Sequence, residues 1–215
     1  VAQIFSPTAN RVPLYILGTL ALLTAVIIGL LWYYGSPRYL EVGYRPPQPM
    51  EYSHKLHAGD LGMDCRYCHS QVEFSRHANI PSVKVCMNCH GIIGQDNPRL
   101  LPLREAWASG EPLQWIRVHD LPDFVFFDHA SHLYAGVGCR NCHGRVDQMV
   151  RVTLVEPLSM AWCLDCHRNP EPYLGPPEEV TNMLWQPDRF TAEAVAQLIQ
   201  DRDISPGDQC SICHR

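Results

Sequence analysis

The sequence predicts a mainly irregular fold of short α-helices with little sheet, tethered by one N-terminal transmembrane helix. Three features predict it: an uncharged run over residues 12–37, 18 prolines and 14 glycines among 215 residues, and ten cysteines falling into five pairs of one spacing.

The uncharged run comes first in the chain. "LYILGTLALLTAVIIGLLWYY", residues 14–34, is long enough to cross a bilayer as one helix. A cleavable signal peptide would have a shorter apolar region and a small-x-small site after it, and no such site follows Tyr34. The expected organisation is therefore a cytoplasmic segment over residues 1–11, a membrane span over 12–37 and an extramembrane domain over 38–215. Trp32, Tyr33 and Tyr34 suit the membrane interface, where an aromatic ring can be half wet. Charge does not set the orientation, because Arg11 precedes the span while Arg38 and Arg45 follow it. All 22 acidic residues and 16 of the 17 Lys and Arg lie beyond the span, scattered, so no basic cluster invites nucleic acid.

The cysteines define the domain. Cys65 and Cys68, Cys86 and Cys89, Cys139 and Cys142, Cys163 and Cys166, and Cys210 and Cys213 each form a Cys-x-x-Cys, and histidine follows every pair. Cys-x-x-Cys-His is the attachment signature of c-type haem. With 11 histidines in the chain, five such coincidences by chance are on the order of one in a few million. Four-cysteine zinc sites would leave one pair over and need no histidine at that place. Redox disulfides of this spacing accompany a βαβ pattern that is absent here. On a helical turn, positions i and i+3 share a face, so both sulfurs can reach the two vinyl groups along one porphyrin edge. The next residue then binds the iron from one side, which makes His69, His90, His143, His167 and His214 the proximal ligands.

Six histidines remain. An iron offers its axial positions on opposite faces, so His54 and His57, neighbours on one turn, must serve two different haems. The arrangement recurs: "YSHKLHAGDLGMDCRYCHSQV" aligns with "FFDHASHLYAGVGCRNCHGRV", and each copy continues to a second site, "IPSVKVCMNCH" or "EPLSMAWCLDCH". The chain thus reads as two two-haem modules, about 50–92 and 119–170, plus a C-terminal haem in 191–215. The preferred distal ligands are His54, His57, His119, His129 and His132. His77 and Met149 stand behind them, since a lone histidine in a polar stretch is more often surface and methionine more often packing. The last haem must take its distal ligand from upstream, because only Arg215 follows His214.

These readings make the fold a multihaem cytochrome c domain, class III-like, built around five covalently bound haem c groups. About 180 residues cannot bury five such macrocycles in a core of their own making, so the haems form most of the core. "TAEAVAQLIQDRD" reads as the best regular helix outside the membrane, capped by Thr191 with Val195, Leu198 and Ile199 inward. "PPEEVTNMLWQPD" reads as an extended surface stretch. Haem c is attached outside the cytoplasmic membrane, which puts the domain on the periplasmic or extracellular side of a single-pass inner-membrane anchor.

"QIFSPTANR" ahead of the span, "GMDCRYCH" after it, and then "WIRVHDLPDFVFFDHASH", "GVGCRNCHGRVDQM" and "EPLSMAWCLDCHRNPE" resemble the pentahaem membrane-anchored c-type cytochrome of alternative complex III, a bacterial quinol oxidoreductase. The resemblance runs over nearly the whole chain. It implies an iron-sulfur subunit, polytopic quinol-oxidising membrane subunits and a monohaem cytochrome c as partners, and a soluble periplasmic electron acceptor in a respiratory or photosynthetic chain. It also implies that His54, His57, His119, His129 and His132 stand at distal-ligand positions.

The leading expectation is an electron wire without bond chemistry of its own, since two protein ligands per iron leave no open site for substrate. The alternative is a stand-alone membrane-anchored quinol dehydrogenase of the tetrahaem-cytochrome type. A nitrite or hydroxylamine enzyme would need an open haem, against which the surplus of histidines argues.

Overall fold

The computed structural model describes residues 4–36 and 39–215. The chain divides into two compact units, 1–41 and 42–215. In the first, a 3₁₀ turn at Pro7–Arg11 leads into helix α1, Val12–Tyr34, with a proline in its first turn where no donor is lost. None of its 23 residues is buried. At 1.5 Å per residue it reaches roughly 35 Å, enough for a hydrocarbon core of about 30 Å. The rings of Tyr33, Tyr34 and Tyr39 meet edge to face, with centroids 5.0 to 6.1 Å apart. The helix stops short of the expected residue 37, which lies outside the described residues together with 1–3 and 38.

The second unit is helical and irregular. Among the described residues it has no strand, only isolated bridges between Val125 and His214 and between Val137 and Leu174. A π-helical turn, Lys55–Asp60, carries His57, with His54 capping it. Helices α2 (Cys65–Cys68), α3 (Val83–His90), α4 (Leu101–Ser109), α5 (His129–Tyr134), α6 (Arg140–His143), α7 (Met160–Arg168), α8 (Ala192–Asp201) and α9 (Cys210–Cys213) follow.

Helix α8 matches the sequence expectation: the Thr191 hydroxyl accepts the Ala194 N–H at 3.3 Å, Val195 is buried, and Leu198 and Ile199 are half-buried. Two features differ from it. Helix α4 is nearly as long as α8, buries Leu103 completely and ends on Gly110 at φ 76°, a backbone conformation only glycine adopts freely. Residues 176–188 are not an extended surface stretch, because 3₁₀ turns at Pro177–Glu179 and Pro187–Arg189 fold the segment and bury Val180 and Met183. Prolines start such turns as readily as they extend a chain.

Among the described residues nine apolar side chains are buried, and only Leu103 and Leu174 completely. A purely polypeptide core for a domain of this length would be several-fold larger. Side chains from distant parts of the chain are nevertheless held in register by backbone contacts between the two repeats. The Lys55 N–H donates to the Met149 carbonyl at 2.9 Å, and the His129 N–H donates to the Arg76 carbonyl at 3.3 Å. Each His-x-x-His turn is thus anchored on the loop that follows the other repeat's first Cys-x-x-Cys-His. At the first contact Gly59 lies against the Asp147 carbonyl, where a side chain would collide with backbone. Asp147 is buried and clamped by two hydrogen bonds from Arg145, at 2.8 and 2.7 Å.

Candidate haem-binding site

Each Cys-x-x-Cys-His occupies a helical turn. The N–H of His69, His143 and His214 donates to the carbonyl of the first cysteine of its motif, at 2.8, 3.0 and 2.9 Å. The second and fourth motifs close longer helices, α3 and α7. A helical turn puts the two sulfurs on one face, as thioether bonds to one porphyrin edge require. All ten cysteines are free of disulfides, and the Cys65 and Cys139 thiols lie within hydrogen-bonding reach of one another. The first motifs of the two repeats are therefore neighbours.

The histidines are oriented by the backbone. Nδ1 donates to a carbonyl in seven of them: His57 to Ser53 at 2.9 Å, His69 to Asn79 at 2.7 Å, His90 to Ile93 at 3.0 Å, His129 to Arg76 at 2.8 Å, His132 to Asp128 at 2.7 Å, His167 to Gly207 at 2.7 Å and His214 to Phe124 at 3.3 Å. An N–H fixed at Nδ1 leaves the lone pair on Nε2, the tautomer a metal-binding imidazole needs. Burial reinforces this. It lowers His54 and His119 to about 4 and His143 to about 3, and it lowers His129 and His132 as well, so these rings are held neutral.

Three ring pairs have the separation that an iron between them demands. With iron–nitrogen bonds of about 2 Å on opposite faces, two imidazole centroids stand roughly 6 to 6.5 Å apart. His57 and His90 are 6.2 Å apart, His132 and His167 6.1 Å, and His129 and His143 6.4 Å. Their ring planes differ by 65°, 48° and 10° respectively. Burial first, and then nearby His69, opposes protonation of His54, whose Nδ1 is the one buried side-chain nitrogen or oxygen without a partner among the described residues. The donor set, its tautomers and its spacing fit haem c.

The remaining candidates are placed differently. The Nε2 of His119 faces the Nδ1 of His143 at 3.3 Å. His77 is exposed, and Met149 is half-buried with its carbonyl engaged by Lys55. The ring stacked on His214 is that of Phe124, 5.8 Å away.

Two aromatic residues of the site escaped the sequence reading. Tyr52 stacks on His57 with centroids 4.5 Å apart and meets His54 edge to face at 4.8 Å. Phe127 lies tilted by 31° over His132 at 4.5 Å and meets His129 edge to face at 4.8 Å. The signal was present, since both stand two residues before the first histidine of their copy.

Comparison with known proteins agrees with this chemistry. Residues 125–215, which hold three of the five motifs, match the family of cytochrome c7 and related cytochromes c. Over 97 residues the chain is 39% identical to the menaquinone reductase multihaem cytochrome c subunit of Nitratidesulfovibrio vulgaris. That stretch is 45% of this chain, and the chain spans about half the length of this curated relative, 45% of it. Over these parts of its length the helical chain is similar to multihaem c-type cytochromes, and its N-terminal helix is long and apolar enough to cross a membrane.

Proposed function

We propose that this chain is the electron-transfer component of a membrane quinone-linked oxidoreductase, holding five haems c through its ten cysteines and moving electrons on the periplasmic side of the membrane. The observation that carries it is the spacing of the histidine rings, at 6.1 to 6.4 Å in three pairs. Haem c, when bound, supplies a one-electron couple between ferric and ferrous iron. His57 with His90, His132 with His167, and His129 with His143 would each hold one haem from both sides, which suits electron transfer at those three irons. By the internal repeat, His54 pairs with His69.

Two finer readings share this function. One is the pentahaem cytochrome of alternative complex III, with iron-sulfur, polytopic and monohaem partners; the stretches from "QIFSPTANR" to "EPLSMAWCLDCHRNPE" support it. The other is a membrane-anchored multihaem cytochrome that itself takes electrons from quinol. The similarity to a menaquinone reductase component lies nearer to this second reading.

The deciding experiment is to purify this chain by itself in detergent, add a quinol and follow the haem absorbance. Fast, inhibitor-sensitive reduction assigns a quinol site to this chain. No reduction by quinol, in a sample that dithionite reduces fully, places quinol oxidation on another polypeptide. Failure of dithionite to yield a reduced c-type spectrum would sink both readings.

A further inference from the structure

His143 stands in one cluster with His119 and His129, whose rings lie 4.3 and 6.4 Å from its own, and with His69 and His54 nearby. Two of these rings, His69 and His143, follow cysteine pairs, so the cluster serves two irons, and two irons have only two distal positions for three rings. His129 stands 6.4 Å from His143 with nearly parallel planes, and His54 neighbours His69. His119 is the third ring, and its geometry is of another kind. Its centroid is only 4.3 Å from that of His143, at 70°, too close for an iron between them. Its Nε2 sits 3.3 Å from the Nδ1 of His143, so the nitrogen it would offer to iron is already engaged by another ring nitrogen.

We propose that His119 is a positioning residue for His143: its Nε2 accepts the His143 Nδ1–H and thereby turns the His143 Nε2 toward iron. Seven other histidines of the chain hand the same proton to a backbone carbonyl. His143 alone among the five proximal histidines hands it to a side chain. An acceptor on the far nitrogen fixes the tautomer and ring orientation of a metal-binding histidine and makes it a stronger donor to the metal. His119 therefore sets the potential of the haem held by Cys139 and Cys142 without touching its iron. The inference rests on haem attachment there, as in the proposed function.

The test compares the full-length protein with His119→Ala and His119→Gln, each matured with haem and purified from membranes. Glutamine places an amide oxygen near the position of Nε2 and does not replace imidazole as an iron ligand. Haem per chain, the low-temperature ferric spin-resonance spectrum, carbon monoxide binding to the reduced protein and a redox titration are measured on all three. The expected result is an unchanged haem count, no new high-spin signal and no new carbon monoxide binding in either variant. One component of the titration moves upward in His119→Ala and returns toward its original place in His119→Gln. A new high-spin signal or carbon monoxide binding near one per chain in both variants would make His119 an iron ligand and overturn the inference. Titrations identical to wild type in both would overturn it too. If His119→Ala does not mature, His119→Gln decides by the same readouts. Absence of haem on the Cys139–His143 peptide of the wild type would instead refute the reading beneath it.

Discussion

His57 is the residue on which the ligand assignment can be broken most cleanly. Its Nδ1 is tied to Ser53, Tyr52 stacks on its face, and His90 stands 6.2 Å away. His57→Ala is expected to convert one haem to high spin while all the haems stay attached, because attachment belongs to the cysteines. Electron spin resonance and haem quantitation on the purified variant check this; a spectrum identical to wild type removes His57 from the ligand set. Asp64 offers a second test. Its carboxylate is held at about 2 by hydrogen bonds from Arg66, it caps α2 by accepting the Arg66 N–H at 2.8 Å, and the Thr181 hydroxyl donates to it from 117 residues away. A carboxyl depressed below its ordinary 3.8 stabilises the fold above that value, and the contribution disappears as pH falls through about 2. Asp64→Ala should cost about 1 kcal/mol through loss of the cap. It should also flatten the acid limb of the stability curve between pH 4 and pH 2, followed by circular dichroism.

At the scale of elements, the contact between the Lys55–Asp60 turn and the loop at residues 146–149 is the most exacting. Gly59→Ala drives a methyl group into the Asp147 carbonyl, and a backbone atom cannot swing aside as a flexible side chain would. The expected cost is roughly 1–3 kcal/mol, read from denaturant midpoints with an unchanged slope. A midpoint within error of wild type would mean that the two segments are not packed in solution as described. This is also the scale at which the sequence was partly illegible. Cysteine turns and α8 were readable because a short motif and a cap mark them locally: Thr191 stands directly before its helix and accepts the Ala194 N–H. Helix α4 was not readable, because "LPLREAWAS" begins amid prolines and buries only Leu103. Candidate ligand histidines could be picked out by their spacing, but the rings they face could not. Pairing His57 with His90 or His129 with His143 depends on where loops return, and the acceptors that orient the rings are carbonyls of unrelated residues such as Asn79, Gly207 and Phe124.

At the scale of the molecule, the small apolar core and the wealth of oriented imidazoles make one prediction. Haem attachment and folding are one event for residues 42–215. Chain produced in the cytoplasm, where haem c is not attached, should lack fixed near-ultraviolet dichroism and be digested rapidly by protease, whereas the exported chain resists. Equal protease resistance of the two would contradict it. Units 1–41 and 42–215 are separate, so replacing the first by a cleavable export signal should release a haem-bearing domain that partitions into water instead of detergent.

The exchange of anchors between the repeats has a consequence for descent. Lys55 binds beside Met149 while His129 binds beside Arg76, so each half supplies what the other lacks. It resembles the contact of two identical protomers about a two-fold axis, one residue out of register, since the counterpart of Lys55 is Ala130 and that of His129 is His54. A single copy of the repeat could make such a contact only by pairing with a twin, at a yield set by concentration. Joining the twins in one polypeptide makes the encounter intramolecular and independent of dilution. It also freed the copies to diverge, and Tyr52 opposite Phe127, equivalent positions with and without a hydroxyl, records that divergence inside the chain.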